Sequence, residues 1–214
     1  MIDPKPDILI LVFVSKGLAS VAALKYPAST MKFPLFRREP RGPDTISALY
    51  GMIVAQARLP CFYRDYAVAD SVNGRFDLIV LHLALVLGRL MQDPALKVLG
   101  QGVFDRFCQD MDHNLREMGI GDLKVPKEMQ RMGEAFYGRA QAYQAALVAP
   151  DGQALVNAVA RNLYGGLPPD PAAAPRLAAY MRLAVRDLQD QDAAHLAAGE
   201  LRLPDPAAAL KTTG

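Results

Sequence analysis

The sequence predicts an all-α fold, a single helical bundle of about six helices, on three observations. An apolar run from Arg75 to Met91, RFDLIVLHLALVLGRLM, is broken only by Asp77, His82 and Arg89. The segments around it repeat apolar residues at steps of three and four, the period of one helix face. No stretch alternates apolar and polar residues long enough to propose a strand. A helix apolar on nearly all sides is buried by neighbours or by lipid. A membrane span needs ~20 apolar residues; this run is shorter and charged at both ends, so residues 75–91 are expected to be the buried central helix. The chain has 214 residues, 51% of them hydrophobic, enough for a sizeable core.

Four stretches divide the chain. Residues 1–30 contain the apolar ILILVFV (Ile8–Val14) between Asp3 and Asp7 on one side and Lys16 on the other. A signal segment carries positive charge ahead of its apolar run. Residues 1–30 are therefore expected to be a weakly structured leader or an upstream extension of the gene model, with a membrane-targeting segment as the alternative. Met31 then opens MKFPLFRREPR, as a natural protein start would. Residues 31–43 form a basic and apolar tail in which Lys32, Arg37, Arg38 and Arg41 are interleaved with Phe33, Leu35 and Phe36. That pattern suits either a solvated tail or a clamp on anionic lipid or another polyanion. Residues 44–198 are the predicted helical domain, and residues 199–214, rich in Pro and Ala, are expected to be an irregular tail.

Within the domain, Asp44 after Pro43 is an N-cap candidate, and Ile46, Leu49, Tyr50, Ile53, Val54 and Ala57 make one face, ending at Pro60. Cys61 to Asn73 reads as a short helix and loop closing on the turn pair Asn73-Gly74. After the central helix, Asp93-Pro94 offers an N-cap and an N1 proline. The next face is Leu96, Leu99, Val103, Phe107, Met111 and Leu115, and Gly119-Ile120 suits a Schellman stop. A further helix covers Val125–Val148; Gly133 and Gly138 inside it predict close helix packing, since each costs ~1 kcal/mol relative to Ala. Asp151 caps a helix to Tyr164, ended by Gly165-Gly166. The last clear amphipathic pattern is Leu177, Tyr180, Met181, Ala184, Val185 and Leu188.

The formal charge of +2 gives no global reason to expect nucleic acid. Cys61 and Cys108 match no metal or redox spacing and read as buried free thiols. Asp110, His113 and Glu117 share a helix stripe with Asp112 beside it, a spacing that can hold a divalent metal. A matching Asp/Glu-x-x-His pair from a second helix is missing, which favours a solvated, paired face. His82, with Arg89 one heptad later, suits a buried histidine satisfied by a carbonyl or carboxylate. As a general base or haem ligand it lacks a G-x-S-x-G, a Cys–His arrangement or a C-x-x-C-H. In EAFYGRAQAY, Glu134–Tyr143, core packing explains Phe136 and Tyr143. Tyr137 and Arg139 are candidates to line a groove for an apolar peptide.

Several long blocks in order carry a family resemblance: FPLFRR from Phe33, GRFDLIVLHLALVLGRL (Gly74–Leu90), FDRFCQDMDHNLREMGIGDLKVPKEMQRM (Phe104–Met132) and EAFYGRA (Glu134–Ala140). Over about residues 33–190 the chain resembles the ubiquinol–cytochrome c chaperone family. That resemblance implies a non-enzymatic assembly factor for the respiratory cytochrome bc complex (complex III), without cofactor or metal. It implies binding to newly made cytochrome b, contact with the ribosome and an anionic membrane surface, and a cytoplasmic location peripheral at the inner membrane. No catalytic residue is carried over. The expected client site is a groove beside the central helix, partly lined by the Glu134–Tyr143 helix, with Tyr137, Arg139, Arg89 and Arg75 as candidate partner-binding residues. Lys32, Arg37, Arg38 and Arg41 are the candidates for the membrane or polyanion surface. The rival readings are a metal- or haem-handling enzyme using Asp110, His113, Glu117 and His82, and a generic helical scaffold.

Overall fold

A computed structural model describes residues 43–211. The residues 1–42, including Lys32, Arg37, Arg38 and Arg41, lie outside the described ones. Among those described there are only helices: α1 (Pro43–Ala57), α2 (Pro60–Arg64), α3 (Val72–Leu90), α4 (Lys97–Glu117), α5 (Val125–Val148), α6 (Gly152–Tyr164), α7 (Ala173–Gln189), α8 (Ala193–Ala197) and α9 (Pro206–Lys211). The fold is all-helical as expected, with six long helices and three short ones among the described residues.

The axis is α3. It packs against α1, α4, α5, α6 and α7, every other long helix, and its buried side runs from Leu78 to Leu83 without interruption. Its apolar circumference is thus covered by protein on most sides. No helix among the described residues is long and apolar enough to cross a membrane.

α3 begins three residues before the expected Arg75. Ser71 Oγ accepts from the Gly74 amide at 3.1 Å and caps the helix, so Asn73-Gly74 is its first turn and not a loop. Gly74 has another reason to be glycine: a Cβ there would collide with the Ala69 carbonyl oxygen. The start of α4 is also corrected. Asp93 makes a tight turn, its carboxylate accepting from Ala95 N at 2.9 Å and its carbonyl from Leu96 N at 3.0 Å, and the helix follows only from Lys97. Asp44 lies in the first turn of α1 rather than capping it, where its charge favours the helix dipole.

Other expectations match. α4 ends in a Schellman motif: Ile120 N donates to Leu115 O at 3.1 Å and Gly119 N to Arg116 O at 2.9 Å, with Gly119 at φ 79°. α5 spans Val125–Val148, and Asp151 caps α6 through Gln153 N at 2.8 Å. Close packing at Gly133 and Gly138 is not found, because a Cβ at either would meet nothing within 4 Å. The tight glycines are in α4. A Cβ on Gly102 would strike Ile46 of α1, and one on Gly100 would lie 2.9 Å from Met91 Sδ.

Residues 200–211 are no loose tail. The Gln191 side chain accepts from Arg202 N and donates to Arg202 O, both at 2.8 Å. Gln56 Nε2 donates to Pro204 O at 2.8 Å, and the Tyr66 hydroxyl to Pro206 O at 2.9 Å. α9 then packs on α7 and α2. Proline and alanine make this segment read as a tail, yet the carbonyls of Pro204 and Pro206 are satisfied by side chains more than a hundred residues away in sequence.

Candidate functional site

One side of α3 is left uncovered toward its C-terminal end. There α3, the second half of α5 and the last turns of α7 enclose a groove of about 610 Å³. Each wall is one stripe of its helix. From α3 come Ala84, Leu85, Gly88, Arg89 and, just beyond it, Gln92; from α5, Ala140, Tyr143, Gln144, Leu147 and Val148. From α7 come Arg182, Val185, Arg186, Leu188 and Gln189. These spacings of three and four put the residues side by side on each helix.

The floor is apolar, and Ala84 and Gly88, one turn apart, keep it low. A Cβ on Gly88 would meet nothing within 4 Å, so no packing contact demands glycine at that point of the helix. Val148 adds an apolar side chain at the lip, 79% exposed. Around this surface the charges are all of one sign: Arg89, Arg182 and Arg186 line the groove, and no carboxylate does. Arg89 is held by two carbonyls at the end of α7, Nε to Leu188 O and an Nη to Gln191 O, both at 3.0 Å. This caps Leu188 O in the last turn of α7, where carbonyls lack the usual intrahelical donors, and ties down Gln191 O just past the helix. Arg182 donates to Gly152 O at 3.0 Å.

The four candidate partner-binding residues fall in different places. Arg89 lines the groove. Tyr137 turns to another face of α5, against Phe104 and Phe136. Arg139 pairs with Asp77 at 2.9 Å and lies 5.8 Å from the centroid of Phe76. They flank a second, shallower hollow of about 420 Å³. Burial raises the carboxyl pKa of Asp77 more than Arg139 lowers it. Arg75 pairs with Asp70 at 2.8 Å at a third hollow, beside Arg58, Tyr63 and Arg64. Leu147, Val148, Arg182 and Arg186 also line the groove and are not among the candidates that the sequence offers. The visible signal was the Arg182/Arg186 pair on α7, one turn apart. Which stripe stays uncovered is a tertiary fact.

The residues of the rival metal or haem site do not converge on one point. Asp110 accepts from the Tyr50 hydroxyl at 2.8 Å, and His113 pairs with Glu117 at 3.1 Å on an exposed face. No cluster of three or more His, Cys, Asp or Glu able to hold a metal occurs among the described residues. His82 is fully buried and its nitrogens are both used. Nδ1 donates to Leu78 O at 2.8 Å, so Nε2 is the acceptor for the Tyr180 hydroxyl at 2.9 Å. Tyr180 in turn accepts from Gln56 Nε2 at 2.9 Å. Burial outweighs the Leu78 hydrogen bond and lowers the imidazole pKa to about 4, which leaves no poised base. Cys61 and Cys108 are free thiols. Burial pushes Cys61 to about 11, helped by its hydrogen bond to Asp65, and Cys108 to about 12, so neither is an activated nucleophile.

Comparison with known proteins follows the same lines. Residues 64–203 match the profile of the family described as Ubiquinol-cytochrome C chaperone. Over 132 residues the chain is 26% identical to the Ubiquinol-cytochrome-c reductase complex assembly factor 1 of Xenopus laevis, covering 61% of this chain and 66% of the frog protein, just under two thirds of its length. The crystal structure of the Cbp3 homolog from Brucella abortus is similar at 40% sequence identity and a TM-score of 0.71, covering 78% of this chain and 92% of that one.

Proposed function

Since the chain belongs to the ubiquinol–cytochrome c chaperone family, we propose that it is an assembly factor for the respiratory cytochrome bc complex that holds newly made cytochrome b at the membrane surface. The family is one of chaperones, not enzymes. The observation that carries the reading to a site is the groove beside α3, apolar along its floor and exposed at Val148. A membrane protein awaiting its partners presents apolar helices, and an apolar groove on a rigid bundle shields such a helix without chemistry. The protein works in the cytoplasm, peripheral at the inner membrane and near the ribosome. Lys32, Arg37, Arg38 and Arg41, outside the described residues, contribute ~1 kcal/mol each near anionic lipid.

Deletion in the source organism tests the function. The expected outcome is selective loss of the cytochrome b spectrum with other cytochromes retained; unchanged cytochrome b refutes it. A photo-cross-linker at Val148 tests the site. Nascent cytochrome b should be captured there and not at Val98, which is 75% exposed on α4 and does not line the groove; equal capture at both positions removes the groove from the proposal. Flotation of the chain with anionic liposomes, with and without residues 32–41, tests the surface, and unchanged flotation removes that part.

A further inference from the structure

The charge around the groove narrows what fits it. Three guanidinium groups face the opening with no carboxylate among the lining residues. Arg89 and Arg182 are bonded to main-chain carbonyls, which leaves their charge uncancelled. The Arg186 side chain is exposed and makes no ion pair or hydrogen bond among the described residues. The nearby acids of this stretch, Asp187 and Asp190, are not among the groove's lining residues. An occupant carrying positive charge would meet repulsion from the α3 and α7 walls, and one carrying carboxylates would meet planar guanidinium partners.

Length narrows it further. Ala84 to Gln92 and Ala140 to Val148 each advance eight residues, ~12 Å at the rise of a helix. That matches two turns of an occupant helix, with apolar side chains at i, i+3, i+4 and i+7. Gln92, Gln144 and Gln189 on the lips offer amides to the polar flanks of such a helix; an acyl chain has nothing to bond them with.

We propose that the groove takes an amphipathic α-helix with an apolar stripe of two turns flanked by Asp or Glu, and that the arginine rim sets this choice. The inference rests on the reading of the groove as the client site. The occupant helix seats its stripe on Ala84, Gly88, Leu147 and Val185, while its carboxylates reach Arg182 and Arg186 at the mouth.

Fluorescence anisotropy on the full chain tests it, using two labelled helical peptides with leucine at i, i+3, i+4 and i+7, one flanked by Glu and its twin by Lys. The Glu peptide should bind about tenfold tighter at low salt, as expected for two partly exposed ion pairs, with the difference shrinking in high salt. Arg186→Glu should bring the two peptides to within about twofold of each other. Gly88→Leu, whose side chain enters the open groove, should abolish binding of both while leaving the circular dichroism melt intact. Equal binding of both peptides, blocked by Gly88→Leu, overturns the charge inference and leaves the groove reading standing. Peptide binding untouched by Gly88→Leu overturns both. Binding of phosphatidylglycerol vesicles or oleate through the groove, blocked by Gly88→Leu, with no peptide binding overturns the inference in favour of a lipid site.

Discussion

The Tyr180 hydroxyl of α7 donates to His82 Nε2 of α3 across 2.9 Å, joining the two helices inside the core. The bond requires a neutral imidazole that can accept, and burial lowers the His82 pKa to about 4. Below the unfolded value of ~6.5, the unfolded chain binds a proton that the folded chain refuses. Stability therefore falls as pH drops from about 6.5 toward 4, by ~3 kcal/mol over the full window. Urea titrations at pH 7 and pH 4.5 should show this loss, and His82→Gln should flatten it; an unchanged pH slope in the variant contradicts the assignment.

Asp77 and Arg139 predict a second pH effect of opposite sign. Removing the cation, as in Arg139→Met, leaves the mostly buried Asp77 carboxylate uncompensated at an expected cost of ~3 kcal/mol at pH 7. Burial already raises the Asp77 pKa in the folded protein, and losing Arg139 raises it more. The folded variant then binds a proton before the unfolded chain does, so its deficit shrinks as pH falls through that raised pKa. A gap between variant and parent that stays constant from pH 7 to pH 5 would contradict this account.

Glycines separate structural demand from accident. Gly133→Ala and Gly138→Ala should each stabilise by ~0.5–1 kcal/mol, because a Cβ there is in open space. Gly74→Ala should destabilise by ~2–3 kcal/mol, because the methyl group runs into the Ala69 carbonyl. Thermal melts of the three variants rank them, and a stabilised Gly74→Ala would mean the close approach is misdescribed.

Arg89 is expected to serve the fold as well as the groove. Arg89→Met removes both hydrogen bonds to the end of α7, at an expected ~2 kcal/mol. Hydrogen exchange should quicken at the end of α7 and in residues 189–192 more than elsewhere in α7. Uniform protection across the helix would show that the cap is dispensable.

How much of this was readable in the residues follows from the range of each interaction. The Gly119-Ile120 stop and the Asp151 cap involve neighbours in sequence, and both were read correctly. Asn73-Gly74 looked like a turn because the Ala69 carbonyl that demands glycine approaches only once the preceding loop has folded. Gly133 and Gly138 looked like packing contacts for want of any means to see open space. The apolar run of α3 announced the core, since its period alone implies neighbours on most sides. The groove needs the arrangement of three helices, so the sequence offers Arg89 through its place in α3 but does not single out Arg182 or Arg186. Tyr137 and Arg139 are only two positions apart from each other in α5, yet the core and the Asp77 pair account for their contacts away from the groove.

Gln56 in the first helix and Tyr66 soon after it donate to the carbonyls of Pro204 and Pro206. On the ribosome, these early side chains are made long before their acceptors and must wait for almost all of the domain to emerge. Such distant closure is slow to form. A protein proposed to guard a nascent client thus closes this part of its own fold only when Pro204 and Pro206 are free to meet Gln56 and Tyr66, so a half-made copy presents its core without this clasp.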